Sequence, residues 1–339
     1  MKPLTDAWQV SCVRSLVAGA LLAAGAGSVF LPGHPVRAAD QAPQTDSRGS
    51  SAETASGGAC DQTTQAAAKA CHFNAQGDFW ISVGTCDNLA DAGKKAACKT
   101  TADSDLKAAQ DNCNAQTAAR HQVCQDLGQA PYDPKIDPQN FVKNITNQFF
   151  PLKPGTVYIY NMLIPGSPKG MDTFFVTRQT IDILGVTCVI VRDTVEIGGQ
   201  VTEDTFDYFT QDKQGNVWYF GEDTTQLQDG VVVGVEGSWR AGVNDAKPGI
   251  IIKAKQKVGD EYRQEFALGT AEDMARVVAV DQNVKVPFGS FSNALKTLEF
   301  AALEPDAREN KYYVPGVGNV LVVDLVTGER DELIKIEHR

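Results

Sequence analysis

The chain has 339 residues and a formal net charge of −11, with 42 % hydrophobic and 22 % charged residues. That balance is enough for a sizeable core. The acidity opposes nucleic acid and anionic membrane surfaces as main partners, and by itself identifies none.

Residues 1–38 read as an export signal. Lys2 and Arg14 supply a positive start, an apolar run follows from Ser15 to Leu31, and Val36-Arg37-Ala38 fits a signal-peptidase site. The run is short for a membrane span. Cys12 precedes it, so no cysteine stands where a lipid would be attached. Cleavage after Ala38 removes three cations and one anion and leaves a mature charge of −13. The mature chain is expected to be periplasmic or extracellular, with no integral membrane segment. Residues 39–59 hold no aromatic residue and little apolar surface, which predicts a disordered tether.

Residues 60–127 are rich in Ala, Gln, Asp and Cys. Cys60, Cys71, Cys86, Cys98, Cys113 and Cys124 are spaced symmetrically about residue 92. At about 100° per residue, the steps in each arm keep its cysteines near one helix face. Two arms folded about Asp91-Ala92-Gly93 therefore predict nested disulfides: Cys60–Cys124, Cys71–Cys113 and Cys86–Cys98. The pattern resembles disulfide-stapled helical hairpins of the coiled-coil-helix type. The cysteine spacing is one residue longer than in that family and a third pair is added, so the resemblance implies geometry and no function. Gly77, Gly84 and the β-branched residues between them predict an interruption in the first arm. A metal cluster would place cysteines closer together, and no Cys-x-x-Cys is present for redox catalysis. His72 and His121 read as solvent-facing helix residues. Each closed loop contributes about 2–4 kcal/mol, so the staples substitute for a core that alanines cannot build. The module reads as a spacer, cap or docking element.

Three prolines in residues 128–140 mark a linker. From there to residue 339, short runs rich in β-branched and aromatic residues alternate with turn signals such as Asp212-Lys213-Gln214-Gly215. The expected fold is an α+β multidomain chain: a small stapled helical hairpin, then a mostly antiparallel β domain over 141–339. That domain is a curved sheet, half-barrel or barrel.

Within it, Gly215 closes a hairpin, and alternation puts Trp218 and Phe220 on one face with Val217 and Tyr219 on the other. Glu203, Thr205 and Asp207 share a face expected to be wet, and Glu222 and Asp223 a solvated strand exit. Trp239 and Arg240 stand together between glycines. "NKYYVPGVGNV" (310–320) reads as strand, turn and strand, and Cys188 as a small buried hydrophobe.

No Gly-x-Ser-x-Gly, His-Glu-x-x-His, phosphate loop or heme-attachment motif occurs, and the β module's histidine is His338. The stretches "FFPLKPGTVYIY", "YFTQDKQGNVWYFGEDT" and "SWRAGVNDAKPGI" resemble an uncharacterised family of exported bacterial proteins over roughly residues 145–325. The resemblance implies a secreted β domain and assigns no activity.

Three functions compete. The first is an exported, non-catalytic module holding a small apolar or amphipathic ligand near Trp218, Tyr219, Trp239 and Arg240, with the hairpin as cap or docking element. The second is a carbohydrate-active enzyme using Glu203, Asp207, Glu222 and Asp223, with a saccharide stacked on Trp218 or Trp239. The third is a structural protein that meets an envelope partner through the hairpin. None of the three calls for a cofactor, and the sequence leaves a metal open.

Overall fold

The computed structural model describes residues 57–339. The export signal and most of the tether lie outside the described residues.

Helix α1 spans Ala59–Asp87 and α2 spans Ala92–Leu127. Asp91 caps α2, its side chain accepting the Lys94 N–H at 2.7 Å. The helices run antiparallel under the three nested disulfides, with Cα separations of 5.7, 5.7 and 5.5 Å. Along α1, and along α2 as far as Cys113, the buried positions between the cysteines are small: Thr64, Ala67, Ala75 and Ala102. So thin an interface needs covalent help. Contrary to the expected interruption, α1 runs unbroken through Gly77 and Gly84. Each glycine costs a helix about 1 kcal/mol, but Cys71–Cys113 and Cys86–Cys98 clamp α1 on either side of the weak stretch.

The rest is a sixteen-stranded antiparallel sheet that curls into a nearly closed barrel. Its strands are β1 (Phe141–Val142), β2 (Thr156–Leu163), β3 (Gly170–Ile183), β4 (Val186–Ile197), β5 (Gln200–Asp212) and β6 (Val217–Gln228). Two short strands, β7 (Val231–Gly234) and β8 (Trp239–Arg240), pair with β6. Then come β9 (Lys247–Ile252), β10 (Glu261–Arg263), β11 (Glu265–Phe266), β12 (Asp273–Val286) and β13 (Gly289–Ala301). The chain ends with β14 (Arg308–Val314), β15 (Gly318–Asp324) and β16 (Arg330–His338), and β16 pairs back onto β2.

Closure falls to one short stretch. Residues 261–263 pair with β12 and residues 265–266 with β9, so a single bent segment joins the two sheet ends. Gly249 makes the seam possible, because a Cβ there would lie 2.3 Å from the Gln264 carbonyl carbon.

The segment before β2 lies along the barrel. Tyr132 donates its hydroxyl to the Pro248 carbonyl, and Phe141 packs edge-on against Trp218 and Phe220. Phe150 then enters one end of the barrel, where its ring meets Phe174, Phe209 and Tyr313. A barrel of this girth is too wide for aliphatic side chains alone to fill. Fully buried Tyr160, Tyr219, Tyr313 and Phe209 take up much of the space. Cys188 is buried as expected. Among the described residues, no helix is long and apolar enough to cross a membrane.

Candidate functional site

The hairpin between β5 and β6 forms as expected, with the Gly215 N–H bonded to the Asp212 carbonyl at 2.9 Å. Asp212 collects the Asn216 N–H, the Asn216 side chain and the Trp218 indole N–H, at 2.7–2.9 Å. Trp218 is thus a half-buried part of the turn, braced by Phe141.

The face expected to be wet is the barrel interior. Asp207 is 0 %, Glu222 1 % and Glu203 7 % exposed. Only Asp223 of the four candidate carboxylates faces solvent, where Arg240 holds it at 2.8 Å. Arg240 also lies over the Tyr208 ring on the outer wall. The correction has a geometric cause. Alternation separates two faces without saying which one the sheet closes around, and here the acidic face turned inward.

The structure brings Asp207 and Glu222 together. They are direct cross-strand partners, and the Tyr219 hydroxyl lies 2.7 Å from Asp207 Oδ1 and 3.0 Å from Glu222 Oε2. A phenol has one proton to donate, so the second contact needs a proton held by one of the acids. Burial pushes both carboxyls well above the usual range, and Glu265 pushes Glu222 further. Trp239 is buried edge-on against Tyr219 and offers no open stacking face.

Sequence reasoning missed how far this interior extends. Asp172 on β3 lies beside Asp193 on β4, and neither Asp172 oxygen meets an N–H or O–H donor. Burial and the Asp193 carboxyl raise its pKa strongly, so a proton on one acid bonds it to the other. Burial pushes Glu203 up to about 8, Asp193 adding to the shift. Glu265 and Asp331 are raised in the same way. Lys311 enters the same space, 3.0 Å from Glu299 and 3.7 Å from Glu309. Burial alone would favour neutral Lys311, but the two glutamates outweigh it and hold its pKa above the usual lysine range. The sequence signal was phase. Asp172 alternates in step with Phe174 and Val176, and Asp207 with Phe209, so these acids share the side chains' inward face.

Such an interior stores protons as hydrogen-bond donors. The two carboxyls that converge, Asp207 and Glu222, both lie buried beneath the wall. A pocket lined by Phe150, Leu152, Tyr158, Tyr160 and Phe174 has room for about one water molecule. Among the described residues, no His, Cys, Asp and Glu side chains form a group of three or more arranged to hold a metal.

The second candidate is on the hairpin. Its base docks on the barrel through buried Arg120, which donates to both Glu272 oxygens at 2.8 Å, and through Gln116, which donates to the Leu303 carbonyl. Asp126 pairs with Arg276, and His121 with Asp61 across the hairpin. From Gln116 to the tip the arm extends about 35 Å. On this outer length Phe73, Trp80 and Ile81 are 75, 63 and 67 % exposed.

Fold and site together define an antiparallel β-barrel protein carrying a disulfide-stapled helical arm. Its disulfides belong to an oxidising, extracytoplasmic compartment. No protein-family model matches the chain, and no curated protein does. Among solved structures it is similar to a Bacteroides fragilis protein with a YmcC-like fold, at 14 % identity and a TM-score of 0.32, over 56 % of this chain and 99 % of that one. It is also similar to a β-barrel-like protein of a domain of unknown function from Brucella abortus, at 12 % identity and a TM-score of 0.30, over 54 % and 97 % of the two chains. Likeness at this level assigns neither activity nor ligand.

Proposed function

We propose that the protein is an exported, non-catalytic interaction protein of the periplasm or cell exterior. In this reading residues 60–127 are a docking arm, 128–140 the strap that ties it down, and 141–339 a rigid barrel that positions it. The observation that carries the reading is the exposure of Phe73, Trp80 and Ile81 on a stapled arm that stands off the barrel. Water contact at three large apolar side chains is unfavourable, and a partner relieves it. The fully buried Tyr160, Tyr219, Tyr313 and Phe209 support the same reading, because their rings take up space that a ligand-holding barrel keeps open. Saccharide hydrolysis needs two carboxyl groups that reach a substrate, and Asp207 and Glu222 do not.

Two measurements test this. Native mass spectrometry of the chain from its own host should find no small molecule retained; a bound lipid or saccharide would restore the ligand-holding reading. A photo-crosslinking residue at position 73 should form a protein adduct in the intact envelope, and Trp80→Ser should abolish it with the barrel's melting unchanged. Absence of any protein adduct would overturn the proposal.

A further inference from the structure

The outer face of α1 carries an order of its own. Phe73, Gly77, Trp80 and Gly84 follow one another at steps of four, three and four, the 3.5-residue period of a helix-packing seam. At about 100° per residue they form one stripe pointing away from buried Ala75, hence away from α2. Rings and gaps alternate along it. A Cβ at Gly77 or at Gly84 would meet nothing within 4 Å, so each glycine leaves a shallow seat. Phe79 braces the Trp80 ring edge-on at 5.1 Å.

We infer that this stripe binds a second copy of the same stripe, antiparallel, in a twofold homodimer. This rests on the reading of the hairpin as a docking arm and names its partner. The stripe is complementary to itself under a twofold. An isologous contact puts residue i against j and j against i. With the twofold between residues 78 and 79, Phe73 faces Gly84 of the other copy and Trp80 faces Gly77, so every ring meets a seat. A parallel pairing sets ring against ring and gap against gap, and leaves the glycines unfilled.

Charge agrees with the same register. Lys69 and Asp87 lie on one flank of the stripe, close to equal distances either side of the twofold. The antiparallel pairing therefore brings Lys69 of each copy beside Asp87 of the other. Asp87 Oδ1 keeps its own Lys99 at 2.8 Å and Lys95 at 3.9 Å, and its other oxygen can accept a further cation.

Size sets the strength. The four rings remove on the order of 600 Å² from water, and Ile81 and the flanking charges add to it. That lies below the roughly 1,000 Å² of a stable interface, so the dimer is weak and concentration-dependent.

Sedimentation velocity of the mature chain across a concentration series tests the inference. The expected result is a reversible monomer–dimer equilibrium. Gly77→Leu and Gly84→Leu should each weaken it about tenfold or more by filling a seat, while raising helix stability, since leucine is the better helix former. A misfolded variant would lose stability instead, so the two effects separate. Lys69→Asp should weaken the dimer, and adding Asp87→Lys should restore it. A benzoylphenylalanine at position 73 should crosslink to the peptide around Gly84 of the second copy. A monomer at every concentration, tight dimers in both leucine variants, or a position 73 to position 73 crosslink would each overturn the inference. Adducts to a different envelope protein, with no dimer, would overturn it while leaving the docking-arm reading intact. Adducts to lipid alone would sink both.

Discussion

At the residue scale, the Asp207–Tyr219–Glu222 unit asks for a proton, and that requirement orders the mutations. Glu222→Gln keeps shape and an N–H donor without a charge, so it should cost less than about 1.5 kcal/mol at pH 5. It should also gain stability relative to the parent at pH 8.5. Glu222→Ala removes the partner and leaves a hole, a loss of about 2–4 kcal/mol by chemical denaturation. Equal losses for Gln and Ala would mean that the proton is not held there. Asp223→Asn lies outside the wall on an exposed pair and should change stability by less than about 1 kcal/mol. Glu222 and Asp223 are adjacent in sequence, yet one is a core group and the other a surface charge, because successive strand residues point to opposite faces.

At the element scale, the hairpin depends on three staples and one buried ion pair. Non-reducing peptide mapping should recover Cys60–Cys124, Cys71–Cys113 and Cys86–Cys98, and reduction should cost helical circular dichroism while the β signal persists. Arg120→Met leaves the buried Glu272 carboxylate without its guanidinium. The expected loss is about 3–5 kcal/mol at that contact, read as faster proteolysis between residues 128 and 131 with the barrel intact. Unchanged protease resistance would mean that the strap carries the docking. The strap from Tyr132 onward should resist cleavage, because Tyr132 and the adjoining Phe141 are packed on the wall.

At the scale of the whole molecule, the interior acids set the pH response. Glu203 in the unfolded chain releases its proton near 4.5, and in the barrel it does so near 8. Between those values the folded state binds more protons than the unfolded one, so stability falls as pH rises. Each such group accounts for about 1.4 kcal/mol per pH unit across its window. The contribution is fully present below about 4.5 and gone above about 8. The exposed carboxylates Asp87, Asp133 and Glu337, held low by lysines, act in the opposite sense only at more acid pH. Melting temperature should therefore be higher at pH 5 than at pH 8.5. A higher melt at pH 8.5 would show that the acids are ionised in the fold.

The amino-acid order alone determined the features that depend on short-range periodicity. Six cysteines spaced about residue 92 specify the hairpin and its pairing, because helix geometry turns spacing directly into a face. Turn residues between alternating runs specify an antiparallel sheet, and Asp212 to Gly215 a particular hairpin. Only the tertiary structure decided which face of each strand lies inside. Alternation gives two faces, and only closure of the whole sheet, with β16 paired back onto β2 and β9 joined to β12 through residues 261–266, put the acidic one inside. The same holds for Gly77 and Gly84. As helix propensities they read as a break, and only the disulfides across α1, with α2 behind it, made them seats on a continuous outer stripe.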